Sequence, residues 1–114
     1  MSTQITDPPA TEDAQRRGHL AALAVAVQIV KRSPLLPTDV QTACRSFAPD
    51  EPCIRLYFHQ SAAGVEQLAR ALGVEATTEP FRDGDPRPYV SMTATVDGIP
   101  VEAWTLLGDA EGAA

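Results

Sequence analysis

Chemistry needs reactive groups at workable spacings, and this chain holds few: two cysteines, Cys44 and Cys53, and two histidines, His19 and His59. The four could offer zinc its soft ligands, but structural zinc sites draw on closely spaced pairs. Here the run is Cys-x8-Cys-x5-His, with no close pair. Nucleophilic catalysis would set a Cys or Ser beside a His oriented by a carboxylate. Either cysteine could fall near His59, yet no Gly-rich elbow or oxyanion loop accompanies them. Asp83-Gly84-Asp85 opens like a calcium loop, and Pro86-Arg87-Pro88 then stands where further oxygen ligands are needed. No Gly-rich phosphate loop occurs. The sequence therefore assigns no catalytic residue, no metal ligand and no cofactor, and both cysteines read as reduced, partly buried residues.

Charge narrows the partners. The formal net charge is −6, Lys31 is the single lysine, and Arg87 is the last basic residue before Asp97, Glu102, Asp109 and Glu111. No Lys/Arg stripe is present to neutralise phosphates, which argues against nucleic acid and against anionic membranes as partners. An acidic mimic of nucleic acid ranks last, because the charge is spread over tails and loops. The apolar run Leu20–Val27, even with Ile29 and Val30, falls short of the roughly 20 residues that cross a bilayer. Asp7, Glu12 and Asp13 before it do not suit a signal peptide. A cytoplasmic protein is the expectation.

The elements that must position these residues follow from pattern. A chain of 114 residues, 44 % hydrophobic, suits one domain, placed at 12–107 between frayed tails at 1–11 and 108–114. Thr11-Glu12-Asp13 offers a helix start, and Lys31-Arg32 before Ser33-Pro34 an end. Residues 38–47 fit either a short helix or a strand, and the alternation of Val40, Thr42 and Cys44 favours the strand. Cys53–His59 alternates cleanly, with Ile54, Leu56 and Phe58 on one face and Arg55, Tyr57 and His59 on the other. Ser61 caps a helix over Ala62–Leu72, which Gly73 ends. A weak strand is expected near Val74–Thr78. Three prolines and a glycine make Glu79–Pro88 a loop. Asp97-Gly98 joins strands Tyr89–Val96 and Ile99–Leu106 as a tight hairpin. That turn pairs Val96 with Ile99, Met92 with Ala103 and Val90 with Thr105 on an apolar face. Thr93 pairs with Glu102, Ser91 with Trp104 and Tyr89 with Leu106 on the other. The expected fold is α+β, in the order α-β-β-α-β-β-β: an antiparallel sheet of four to five strands with both helices on one face.

The segments His19-Leu20-Ala21-Ala22-Leu23, Leu36-Pro37, Leu68–Val74 (Leu-Ala-x-Ala-Leu-Gly-Val) and Val96–Glu102 (Val-Asp-Gly-Ile-Pro-Val-Glu) come in this order. With them, residues 18–106 resemble the small uncharacterised proteins of actinomycetes and their mobile elements. The resemblance implies an origin in a GC-rich genome, which the excess of Arg over Lys and the many alanines suit, and it brings no activity.

Two surfaces remain as candidate sites. The first helix carries two apolar stripes, Leu20/Leu23/Ala24/Val27 and Ala22/Val25/Ala26/Ile29, where one would suffice to bury it. The second stripe is taken as a dimer face. The open face of the sheet should gather Arg55, Tyr57, His59, Tyr89, Glu102, Trp104 and Leu106, residue types common in binding hot spots. The functional expectation is a non-enzymatic interaction module that binds itself as a homodimer, or another protein. The alternative is a small-ligand or enzymatic domain whose pocket lies between the open face and the Glu79–Pro88 loop, using His59, Arg55, Glu102 and Tyr57.

Overall fold

The structure, a computed structural model, describes the backbone of residues 3–108 and the side chains of 12–108. Helix α1 spans Thr3–Arg32, and strands β1 (Asp39–Ala43) and β2 (Cys53–Tyr57) follow. After helix α2 (Ala62–Ala71) come β3 (Thr77–Arg82), β4 (Asp85–Val96) and β5 (Ile99–Leu106). The fold is α+β, as expected. The five strands form one sheet in the order β1-β2-β5-β4-β3. All neighbours are antiparallel except β2 and β5, which pair in parallel with Arg55 beside Glu102 and Tyr57 beside Trp104. The sheet is therefore mixed. Turn residues fix the pairing of strands adjacent in sequence, whereas β2 and β5 meet across an intervening helix and two strands.

Asp97-Gly98 acts as expected: Asp97 and Gly98 both have positive φ, and every predicted β4–β5 pair is present. The Glu79–Pro88 segment does not form a loop. It is a second hairpin that turns at Asp83-Gly84, with Gly84 at φ +80°. Pro80 is tolerated because β3 is an edge strand, and Pro86 and Pro88 because they lie on the part of β4 that precedes its pairing with β5. Pro80 lies opposite Pro88, and the register shifts between Pro80 and Arg82.

Helix α1 runs from Thr3 rather than from Thr11. The chain passes through Pro8 and Pro9, whose fixed φ suits a helix even though each withholds a donor. Residues 1–2 and 109–114 of the two expected tails lie outside the described residues. Helix α2 has its Ser61 cap, whose Oγ accepts from the Gly64 N–H at 3.0 Å.

The core lies between the sheet and the two helices. From β2, β4 and β5 come Ile54, Leu56, Val90, Met92, Ile99, Val101 and Ala103, from the position after β2 comes Phe58, and from α2 come Val65, Leu68 and Ala69. From α1 come Ala22, Val25, Ala26 and Ile29. Helix α1 lies over β1 and β2, and α2 over β4 and β5. Two close approaches set this packing. A Cβ on Gly18 would stand 2.4 Å from Cys44 Sγ, and one on Gly64 would stand 2.3 Å from the Phe58 ring.

Candidate functional site

The stripe taken as a dimer face is the one α1 turns inward. Ala22 and Ile29 are fully buried, and Val25 and Ala26 nearly so, which leaves nothing for a partner. The outward stripe is the other: Leu20, Leu23 and Val27 keep 59 %, 50 % and 52 % of their surface exposed. Both stripes have helical spacing, so periodicity could not choose between them. The signal that could have done so is size. Gly18, Ala22 and Ala26 share the inner side with Val25 and Ile29, and small residues let a helix lie close on a sheet, while the leucines fall outside.

The outward stripe has company. Among the described residues, the exposed large hydrophobic side chains are Leu20, Leu23, Val27, Leu35, Leu36, Val40 and Phe47. All seven belong to α1, the connection to β1, β1 itself and the turn after it. This side includes a sheet edge, because β1 has no neighbour beyond it. None lies in α2, β3, β4 or β5.

The open sheet face assembles largely as the alternation predicted. Tyr57 and Trp104 are neighbours across β2 and β5, with ring centroids 4.6 Å apart, and Tyr89 lies 6.1 Å from Trp104 on the other flank. Arg55 sits 5.6 Å over the Trp104 ring, within cation–π range, and its Nε donates to Glu102 Oε1 at 3.1 Å. Tyr89 Oη donates to Glu102 Oε2 at 3.1 Å. Tyr57 Oη and His59 Nδ1 share a hydrogen bond of 2.9 Å at the end of β2. Leu106, half-buried, pairs with Tyr89 at the end of β5. Burial first, then the Glu102 carboxylate, pushes the Tyr89 phenol above its ordinary pKa.

Phe81 also joins this cluster, 5.8 Å from Tyr89 with the Arg82 guanidinium 4.2 Å over its ring. The prolines of Glu79–Pro88 give this segment the composition of a loop and hide the strand that carries Phe81. Asp83-Gly84 is the same turn signal as Asp97-Gly98 and would have revealed the strand. A small depression of about 190 Å³ lies between Asp39, Gln41, Arg55, Tyr57 and Trp104, toward the β1 side of the face and away from the Glu79–Pro88 hairpin. Ligand pockets usually start near 300 Å³ and bury most of their occupant. A wider hollow of about 410 Å³, floored by Thr93, Thr95, Arg55 and Glu102, lies open on the same face.

The remaining candidates separate. Cys44 is buried, with its thiol donating to the Pro49 carbonyl at 3.3 Å, while Cys53 is half-buried, and both are free thiols. Among the described residues, no three His, Cys, Asp or Glu side chains converge as a metal site would require. In the Asp83-Gly84-Asp85 turn, Arg87 donates from Nε and Nη2 to Asp85 at 2.9 and 2.7 Å, and this ion pair holds the carboxyl down at about 2. Among the described residues no helix is long and apolar enough to cross a membrane. Comparison with protein-family models, curated proteins and solved structures gives no match. Function is therefore read from the two surfaces themselves.

Proposed function

We propose that this protein is a non-enzymatic interaction module that self-associates as a homodimer through the outer side of α1 and its surroundings. The carrying observation is that, among the described residues, the exposed large hydrophobic side chains are all confined to residues 20–47. Scattered exposed apolar residues need no explanation, but their concentration in one stretch of the fold calls for one. A cytoplasmic setting belongs to the same reading, since both thiols are free and suit a reducing compartment. So does kinship with small actinobacterial proteins. An acidic chain without a basic stripe is poorly suited to nucleic acid, which leaves protein as the partner.

A second reading places a small ligand on the open sheet face, beside Arg55, Tyr57 and Trp104. It is favoured by the aromatic platform and weakened by the way Arg55, Glu102, Tyr57, Tyr89 and His59 already pair with one another. Sedimentation over a concentration series separates the readings. A mass that rises from monomer to dimer, with a dissociation constant on the order of micromolar for a contact of modest area, is the expected result. A monomer at every concentration would overturn self-association, and a small molecule retained on that monomer in native mass spectrometry would favour the second reading.

A further inference from the structure

We infer that the second copy joins edge to edge: its β1 pairs antiparallel with this β1 about a two-fold axis at Gln41, and the two α1 helices meet side by side over the seam. The inference rests on the self-association proposed above and specifies its contact.

Among the described strands the sheet has two edges, and they differ. β3 is guarded by Pro80, by the charges of Glu79 and Arg82, and by the register shift between Pro80 and Arg82. Such features keep foreign strands from pairing. β1 carries a charge only at its first residue, Asp39, and holds no proline. It pairs with β2 in unbroken register from Asp39 to Ala43. Its outer row of backbone donors and acceptors is open to another strand.

The leucines of α1 lie toward the same side. α1 rests over β1 and β2, and α2 over β4 and β5. Arg32 marks the flank of α1 that faces α2, because its Nη2 donates to the Ala71 carbonyl at 2.9 Å. Leu23 stands nine residues before Arg32. That is two and a half turns at about 3.6 residues per turn, which puts Leu23 on the opposite flank. Val27 follows about one turn on, and both side chains are half-exposed. This flank looks out over the β1 edge.

One operation covers both features. Strands are spaced about 4.8 Å apart, so a helix over the middle of the β1–β2 pair has its axis about 5 Å from the seam. Two such helices stand about 10 Å apart, within the spacing of about 8–10 Å at which helices pack. The register along them agrees as well. Gly18 meets Cys44, just past the end of β1, and the connection Ser33–Thr38 joins the other ends, so α1 and β1 run in opposite directions. Gln41, three residues before Cys44, lies about 10 Å back along the strand, which spans roughly six or seven residues of helix. The two-fold therefore passes near Ala24 and Val25, and Leu23 of each copy meets Val27 of the other. In the strands, Val40 of each copy faces Thr42 of the other. Val40 shares the helix side of the sheet with its buried partner Leu56, so the paired helices cover it.

The test is hydrogen exchange by NMR on the full native chain, at concentrations below and above the dimer midpoint found by sedimentation. The β1 amides that point away from β2 should exchange at least tenfold more slowly in the dimer, while those of β3 stay unchanged. Slowing at β3, or none at β1 in a dimeric sample, would overturn the inference and leave self-association standing. Val40→Lys gives a second measurement. A charge at this exposed edge site should raise the dimer dissociation constant at least tenfold, and an unchanged constant would also overturn the pairing. A monomer at every concentration would remove the proposed function and this inference together.

Discussion

The outer side of α1 and the open face of the sheet both carry large apolar side chains, but they leave them in opposite conditions. On the sheet face, Trp104 is flanked by Tyr57 and Tyr89 and covered by Arg55, and the polar tips close on Glu102 and His59. Each ring there is partly shielded by another side chain. On α1, Leu20, Leu23 and Val27 keep half or more of their surface in water. By residue type the sheet face looks the better binding surface, since Trp, Tyr and Arg dominate hot spots. By condition the helix does. An aromatic cluster that satisfies itself stabilises a sheet, whereas half-exposed leucines still have surface to gain by association.

The comparison can be broken or sharpened by substitution. The largest effect should come from the inner stripe: Ile29→Ala should cost about 2–5 kcal/mol in urea unfolding, because a fully buried side chain leaves a cavity. Had that stripe been the dimer face, the same change would lower the mass in solution and spare the fold. Next, Trp104→Ala should cost about 1–3 kcal/mol through lost ring contacts and area on the half-buried face. It should leave the sedimentation equilibrium unmoved, and a monomer from this variant would transfer the interface to the sheet.

Leu23→Glu should do the reverse. Stability in the monomer should change by about 0.5 kcal/mol or less, as at other exposed sites, while the dimer dissociation constant rises at least tenfold. The smallest effect concerns Glu102→Gln, which should cost less than about 1 kcal/mol, because Arg55 and Glu102 are both substantially exposed. The readout is the Tyr89 phenol, whose absorbance titration should move back toward 10. In the native chain, a phenol held above its unfolded value contributes stability that is present below pH 10. That contribution is lost as pH rises through the folded pKa, and in the variant the loss should come at lower pH.

Much of this layout was legible in the sequence where the signal is local. Asp97-Gly98 carried the whole β4–β5 register, and Ser61 with Gly73 bounded α2. Arg55, Tyr57, Glu102 and Trp104 came together because strand alternation is rigid. The rest depended on what no local pattern encodes. The two stripes of α1 are equivalent until a sheet lies against one of them. The parallel pairing of β2 with β5 joins strands separated by more than forty residues, and no turn residue specifies it. The prolines mask the Asp83-Gly84 signal of the β3–β4 hairpin, because what tolerates them, the edge place of β3 and the stretch of β4 that β5 does not reach, is defined only by the assembled sheet.

The place of β5 at the middle of the sheet has a consequence in time. Among the described strands it is the last in sequence and the one that joins the β1–β2 pair to the β3–β4 pair. During synthesis, α1 and the first two strands emerge with Ile54, Leu56 and Ile29 lacking the strand that will complete their layer. Cooperative folding must wait for residues 99–106, and the contacts that then form are long in sequence, which slows the search. Until that moment the nascent chain shows its future core as well as the outer leucines of α1, and this is the interval in which it is most exposed to aggregation.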